Sequence, residues 1–185
     1  ENWRARWIAK RRDVPLLLEE DEAIRSLVSK RFKDAGIASL EIERGVGAAT
    51  VRIRTSRPGL VIGRGGNGIE ALRMALAKTI LQQRKKKRLE TTSKNGLNLR
   101  IEVEEVRKPD TIAAIVAEGI VRDLERRVQP RRALKQALLR VTQNQEVKGV
   151  KILAAGRLGG AEISRSECLK KGELPLSTLR AQIDY

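Results

Sequence analysis

The most regular pattern along the chain is an alternation of apolar and polar residues, which runs through residues 38–45 (ASLEIERG) and 48–56 (AATVRIRTS). A period of two is typical of β-strands that bury one face. Gly45 and Gly47 stand between the two runs and suit a tight turn. We therefore predict a hairpin of two strands, the second of which ends before Pro58.

Helical spacing is found on both sides of this hairpin. Apolar residues three and four positions apart predict a helix from about Asp21 to Ala35, with Gly36 at its end. A short helix, a longer helix over residues 66–84 and a third strand over residues 97–106 are predicted to follow. The core face of the longer helix is expected to consist of Ile69, Leu72, Ala75 or Leu76, and Ile80.

The chain starts with a basic segment, WRARWIAKRR, and an apolar stretch, VPLLLEE. Trp3 and Trp7 are four positions apart, a spacing that would place them on one helical face beside Lys10 or Arg11. The simpler interpretation is that two packed indoles pin this segment to the rest of the protein, and this is the one we expect.

The pattern changes at Lys108–Pro109, where we place a domain boundary. A helix is predicted over residues 110–128 with Asp110 or Thr111 as its cap, and Pro130 suits the first turn of a second helix.

Two strand-like runs are predicted at residues 149–160 and 173–185, joined by a loop over 161–172. The predicted parts are a basic N-terminal segment (1–20), a first α+β domain (21–107) and a second α+β domain of two helices on a small sheet (108–185).

Charge changes this picture more than any other property of the composition. Lys and Arg number 39 against 23 Asp and Glu, which gives a formal net charge of +16 and an isoelectric point near 10.7. Such an excess attracts polyanions, so nucleic acid is the expected partner. No membrane partner is expected, because the longest apolar run, TIAAIVAEGIV, is interrupted by Glu118 and no secretory leader is recognisable.

The residue types exclude several kinds of chemistry. With no histidine and a single cysteine, Cys168, the chain has neither an internal disulfide nor a Cys/His zinc site, and it lacks the commonest general base. We expect Cys168 to be a small packed residue. Aromatic residues make up only 2% of the chain, so recognition by base stacking is not expected. We predict no catalytic residue, no metal and no cofactor.

A glycine-rich stretch, PGLVIGRGGNGIEALR, fits two phosphate-binding motifs at once. Gly63, Gly65 and Gly68 match the GxGxxG of a dinucleotide-binding turn, whereas Gly63 and Gly66 match the GxxG of an RNA-binding loop. Both motifs place backbone N–H groups at the start of a helix, where they attract phosphate. A purely structural turn between two helices is a third interpretation, although it needs fewer glycines.

The dinucleotide interpretation requires a strand that ends at the first glycine and an acidic residue about twenty positions later. Only Leu60–Ile62 remains for that strand, and residues 82–89 are basic instead of acidic. This interpretation is therefore kept only as a remote alternative.

The two strands, RPGLVIGRGG, the long helix and the third strand together resemble a KH domain in its type-two arrangement. The resemblance implies that Gly63, Arg64, Gly65 and Gly66 form the loop that clamps an RNA backbone, with Arg64 as its cation. Gly65 stands where many relatives have a second basic residue, which reduces the local charge.

The second predicted helix of the C-terminal half has a basic face. Arg131, Arg132 and Lys135 lie within about a quarter turn at helical spacing of about 100° per residue. Opposite them is an apolar arc, formed by Ala133, Leu134, Ala137, Leu138 and Val141. Leu139 interrupts the basic face, and such a face by itself is better explained by solvation.

The segments LERRVQPRRALKQAL and GRLGGAEISRSE, followed by LPLSTLRAQIDY, resemble the C-terminal domain of the small-subunit ribosomal protein S-three family in its bacterial-type form. The resemblance implies that Arg131, Arg132 and Lys135 line the entrance of the messenger channel and assist passive unwinding of messenger structure. It also implies a non-enzymatic protein of a cytoplasmic or organellar ribosome whose family has further strands after the last residue here.

The implied partners are small-subunit ribosomal RNA, messenger RNA and neighbouring ribosomal proteins of the subunit head. A free-standing KH-type RNA chaperone or regulator is the alternative function. Further candidate RNA contacts are the basic run Arg84, Lys85, Lys86, Lys87 and Arg88, and the loop residues Arg157 and Arg165. A solvated turn explains the run equally well, and a tight turn at Gly159–Gly160 explains the loop equally well.

Overall fold

A computed structural model describes residues 3–45, 48–86 and 98–185 of the chain. The chain forms two compact units, Glu1–Arg107 and Lys108–Tyr185. None of the helices in the described residues has the length and apolar character that a membrane span requires.

The first unit contains a four-stranded sheet with helices on one face. Its elements are β1 (Ala5–Arg6), α1 (Val14–Arg31), β2 (Ile37–Gly45), β3 (Ala48–Thr55), α2 (Pro58–Ile62), α3 (Asn67–Lys86) and β4 (Asn98–Glu105). The strand order is β1-β2-β3-β4. Strands β2 and β3 are antiparallel, whereas β4 runs parallel to β3 and β1 parallel to β2. The predicted order of helices and strands from α1 to β4 is confirmed.

The core of this unit lies between the sheet and the helices α1 and α3. Alternate residues of β3 are buried, which reflects the period of two seen in the sequence. The fully buried large side chains include Ile24 and Val28 of α1, Ile42, Val51 and Ile53 of the sheet, and Leu72, Leu76 and Ile80 of α3. Of the predicted core face of α3, Ile69 and Ala75 are only half-buried.

The opposite face of the sheet carries a balanced array of charges. Its members are Arg6, Arg52, Arg54, Arg100, Glu41, Glu43, Glu102 and Glu104. Arg52 lies at the centre, 3.1 Å from Glu104 and 3.3 Å from Glu102. The negative charge of Glu43, above all, raises the pKa of Arg52, so this guanidinium stays cationic.

Helix α1 begins at Val14, seven residues before the predicted start at Asp21. Pro15 lies in its first turn, where a missing N–H costs nothing. The prediction was wrong because Glu20 and Asp21 interrupt the apolar spacing, and a pair of acidic residues suggests an exposed boundary. Both side chains are in fact buried in the middle of the helix.

A buried ionic cluster, defined by Glu20, Asp21, Arg44 and Arg84, joins α1 to β2 and α3. Arg44 is only 7% exposed and donates to Glu20 Oε2 at 2.7 Å and to Asp21 Oδ1 at 2.6 Å. Arg84 donates to Glu20 Oε1 at 2.6 Å. Each buried carboxylate thus has at least one guanidinium partner, which offsets the cost of removing it from water.

The N-terminal segment is not pinned by two packed indoles, and that prediction was wrong. Trp3 is 83% exposed, whereas Trp7 donates its indole N–H to Asp21 Oδ2 at 2.9 Å. Between them, β1 pairs with β2 and extends the sheet by one short strand. The Trp7 hydrogen bond, the pairing of β1 with β2 and the ion pairs of Arg6 with Glu41 and Glu43 therefore hold the segment in place.

The second unit packs two helices on a small antiparallel hairpin. Its elements are α4 (Ala113–Glu125), α5 (Pro130–Gln143), β5 (Gly149–Gly156) and β6 (Arg165–Gly172). The core cluster consists of Ile120, Leu134 and Ala137, with Val116, Leu124, Ile152, Ala154 and Leu169 packed against it. The prediction of two helices on a small sheet is confirmed.

Two details of this unit differ from the prediction. Strand β6 occupies the predicted loop, and residues 173–185 contain only turns and irregular structure. Leu169 is the one apolar residue of β6 that packs on the core, so the sequence shows no alternation there. The predicted cap of α4 is also wrong, because neither Asp110 nor Thr111 caps it: Ala113 N–H instead donates to Asp184 Oδ2 at 2.7 Å.

Candidate nucleic-acid interface

The glycine-rich loop joins two helices of the first unit. Helix α2 starts at Pro58 and ends after Ile62, where Gly63 N–H donates to Gly59 O at 3.0 Å. A single 3₁₀ turn over Arg64–Gly66 follows, and α3 starts at Asn67. Because a helix and not a strand precedes Gly63, the strand–turn–helix unit of a dinucleotide site is missing here.

Glycine is required at this loop for two separate reasons. Gly63 (φ 72°), Gly65 (φ 60°) and Gly66 (φ 82°) have left-handed backbone conformations that other residues adopt at a cost. At Gly68 a Cβ atom would lie 2.6 Å from Val61 O, so its absence lets α2 and α3 approach closely. Close contacts thus explain Gly63 and Gly68, whereas at Gly65 and Gly66, where a Cβ would find open space, only the left-handed backbone requires glycine.

The surroundings of the loop suit a phosphate backbone. Arg64 is exposed, and among the described residues no carboxylate lies within ion-pair distance of it. The N-terminus of α3 adds a partial positive charge, reduced by Glu70 in its first turn. Leu60 and Ile62 are 53% and 37% exposed beside the loop and offer apolar contact to a sugar or base. The sequence pattern does not predict the exposure of these two residues, because an apolar residue in a short helix is normally assigned to the core.

The basic face of α5 is a second candidate surface. Arg131, Arg132 and Lys135 are all exposed and line a shallow depression of about 420 Å³, together with Gln129, Gln136 and Leu139. Leu139, which interrupted the predicted basic face, is 55% exposed and forms part of this surface. The opposite face carries the predicted apolar arc, of which Leu138 alone is half-buried and the others are buried.

The charges on this face of α5 lack acidic partners in the part of the chain that the structure describes. Within the described ranges, no Asp or Glu lies within ion-pair distance of Arg131, Arg132 or Lys135. Arg140, one helical turn further on, contrasts with them because it lies 3.8 Å from Asp123.

The remaining candidate contacts fall into two groups. In the basic run, Arg84 is bound to Glu20 within the protein. Lys85 and Lys86 end α3, but their side chains lie outside the described part, as do Lys87 and Arg88 altogether.

The other two candidates, Arg157 and Arg165, are exposed at the turn end of the β5–β6 hairpin. Arg157 Nε donates to Ala161 O at 2.8 Å, across that turn. Arg165 begins β6, and its Cα faces that of Gly156 in the register. Cys168 is exposed on the same hairpin, not packed as expected.

Comparison with known proteins identifies both units. Residues 23–111 match the KH domain family, and residues 120–185 match the family of ribosomal protein S3, C-terminal domain. The small ribosomal subunit protein uS3 of Crocosphaera subtropica is 48% identical over 97% of this chain and 68% of its own length. The uS3 of Coprothermobacter proteolyticus is 43% identical over 100% of this chain and 73% of its own length.

A protein named uS3c, from Pyropia yezoensis, is 45% identical over 98% of this chain and 73% of its own length. The fold is thus the expected type-two KH domain followed by an α+β domain, and these relatives are named as ribosomal proteins, not as enzymes. The chain belongs to the family of small ribosomal subunit protein uS3.

Proposed function

We propose that this chain is a structural, RNA-binding component of the small ribosomal subunit, without catalysis of its own. Its partners are ribosomal RNA, messenger RNA and neighbouring proteins of the subunit head. Membership of the uS3 family supports the proposal that the chain is part of the small ribosomal subunit. The observation that carries RNA binding is the turn at residues 63–66 before α3, which has left-handed glycines and an exposed Arg64 with no carboxylate partner among the described residues.

The loop binds the RNA backbone and not a base sequence. The backbone N–H groups of the turn and the first turn of α3 donate to phosphate oxygens, and Arg64 adds a charge-assisted contact. Because glycine has no side chain, the phosphate chain approaches the protein backbone closely at Gly65. Leu60 and Ile62 add apolar contact, so affinity does not depend on charge alone.

The face of α5 made by Arg131, Arg132 and Lys135 binds messenger RNA at the entrance of its channel. Three exposed cations within about one helical turn hold the phosphates of a separated strand and so disfavour its return to a duplex. Hydrolysis of a nucleotide by this protein is not needed, because movement of the messenger supplies the work.

A high-salt wash separates a subunit component from the alternative, a free-standing RNA chaperone or regulator. We expect the tagged chain to sediment with small subunits after the wash, since a component buried among RNA and proteins has many contacts besides phosphate. A regulator held by phosphate contacts alone is released, because such binding weakens steeply with salt. An unrelated basic protein added to the same subunits is the control, and loss of both proteins in the same wash would contradict the proposal.

We predict that the triple variant Arg131→Ala, Arg132→Ala, Lys135→Ala slows translation through a stable messenger hairpin and leaves subunit assembly unchanged. The three side chains are exposed and unpaired with acids in the described chain, so their loss does not disturb the core. The rate is measured on hairpin and unstructured messengers with subunits that contain the variant.

The matched control is the triple variant Lys10→Ala, Arg11→Ala, Arg12→Ala, which also removes two Arg and one Lys from exposed positions. It lowers the net charge equally but leaves α5 intact. Similar slowing by both triple variants would mean that overall charge, and not the face of α5, determines the rate.

A further inference from the structure

A second turn in the chain repeats the backbone conformation of the KH loop. Residues 64–66 (RGG) and 158–160 (LGG) each form one 3₁₀ turn. The first glycine has φ 60° and ψ 22° in one turn and φ 66° and ψ 19° in the other, and the second has φ 82° in both. The closing hydrogen bonds also correspond, Gly66 N–H to Gly63 O at 3.5 Å and Gly160 N–H to Arg157 O at 3.3 Å.

This conformation creates a concave surface of backbone N–H groups. A right-handed residue followed by left-handed ones turns successive N–H groups toward the same side, an arrangement that binds anions elsewhere in proteins. At Gly159 and Gly160 a Cβ atom would contact nothing within 4 Å. Packing therefore does not require glycine at these two positions, whereas the left-handed backbone does.

The charges around the second turn favour an anion as well. Arg157 precedes it and Arg165 follows it, where the register places Arg165 opposite Gly156 at the end of the hairpin. Both are exposed, and neither forms an ion pair with a carboxylate of the described residues. Arg157 Nε is held by Ala161 O, so that its guanidinium lies across the turn. Glu162, the acid nearest in sequence, is exposed.

We propose that the turn at residues 157–160 is a second phosphate-binding site, made by backbone amides and flanked by Arg157 and Arg165, which takes a phosphodiester of an RNA strand. This goes beyond the proposed function, which assigns no role to this turn, and beyond the candidate contacts named above, which were only the side chains of Arg157 and Arg165. The site differs from the KH loop because an extended residue, Ala161, and not a helix follows the second glycine. Its affinity therefore comes from the amides and the two arginines, without the partial charge of a helix N-terminus.

The test is an NMR titration of the full, ¹⁵N-labelled chain at constant ionic strength, first with inorganic phosphate and then with a short single-stranded RNA. We expect saturable shifts of the Gly159 and Gly160 amide signals with both probes, and much smaller shifts of Gly45, which ends β2. Shifts with inorganic phosphate alone would overturn the assignment to RNA. Shifts no larger than those of Gly45 would overturn the site itself.

The KH loop is observed in the same spectra through Gly65 and Gly66. If these shift with RNA and Gly159 does not, the further site fails and the proposed function stands. The opposite result would refute the KH loop's role and leave the second site supported.

Two substitutions at one position separate the backbone conformation from the presence of glycine. Asn adopts the left-handed conformation far more readily than Val, and the space beside Gly159 is open to either. The affinity for RNA is read from the titration of the Gly160 amide signal. We expect Gly159→Asn to keep this affinity within about twofold. We expect Gly159→Val to weaken it about tenfold, which corresponds to the loss of about one charge-assisted hydrogen bond. The hairpin signals of β5 and β6 show whether the Val variant remains folded. Equal affinity of two folded variants would contradict the proposal.

Discussion

At the scale of single residues, Glu20 stabilises the packing of the first unit, although its position in the sequence suggests an exposed side chain. It is fully buried and accepts hydrogen bonds from Arg44 and Arg84, which come from β2 and α3. The cost of burying this carboxylate is offset by its two cations, and without Glu20 the buried Arg44 would retain Asp21 as its carboxylate partner. The ionic cluster therefore specifies how three elements meet, in addition to the apolar core.

We predict that Glu20→Ala lowers the free energy of unfolding of the first unit by about 3–5 kcal/mol, because it leaves the buried guanidinium of Arg44 with one carboxylate fewer. Denaturant titration followed by tryptophan fluorescence measures this directly, since both tryptophans belong to Glu1–Arg107. The control, Glu22→Ala on the exposed side of α1, should change stability by less than about 0.5 kcal/mol. If the two variants unfold at the same denaturant concentration, the cluster does not stabilise the unit.

At the scale of elements, the close contact between α2 and α3 positions the KH loop. The carbonyl groups of Val61 and Ile62 occupy the space in which a side chain at position 68 would lie. The two helices consequently pack closely against each other. The turn between them exposes Arg64 and Gly65 to solvent.

We predict that Gly68→Ala destabilises the first unit by about 1–3 kcal/mol and weakens RNA binding, because its Cβ would lie 2.6 Å from Val61 O and push α2 away. Fluorescence anisotropy with a labelled single-stranded RNA measures the affinity. Gly59→Ala is the matched control: its Cβ meets nothing within 4 Å, and it should stabilise α2 by about 0.5–1 kcal/mol without loss of affinity. Similar affinities of the two variants would show that the helix contact does not position the loop.

The elements with strong periodicity were predictable from the sequence. Strands β2 and β3 alternate clearly, and the helical faces of α3 and α5 follow from the spacing of Leu72, Leu76, Leu134 and Val141. The early start of α1 and the strand β6 were not predictable, because tertiary contacts decide them. Buried carboxylates interrupt the apolar pattern of α1, and β6 is stabilised mainly by its pairing with β5.

At the scale of the whole molecule, which has a net charge of +16, some of the basic residues are paired with acidic residues and others are not. Four arginines and four glutamates neutralise one another on the open face of the sheet. The cations of the proposed RNA surfaces, by contrast, have no carboxylate partner among the described residues. The sequence predicted which residues are basic, but only the structure shows which of them the protein itself neutralises, Arg84 among them.

We predict that affinity for single-stranded RNA changes by less than about twofold between about pH 6 and pH 7.5, because the chain has no histidine, the side chain that ordinarily titrates in this range. The arginines and the phosphodiesters keep their charges throughout. Anisotropy titrations at constant ionic strength measure the affinity, and a steeper dependence would show that an ionisable group with an unusual pKa lies in the interface.

The bond from Ala113 to Asp184 has a consequence for synthesis of the chain. The two residues are 71 positions apart. A polypeptide made from its amino end therefore finishes the first helix of the second unit long before the carboxylate that caps this helix has been added. Until then the leading amide is satisfied only by water, so the nascent unit acquires this cap only when residue 184 has left the tunnel.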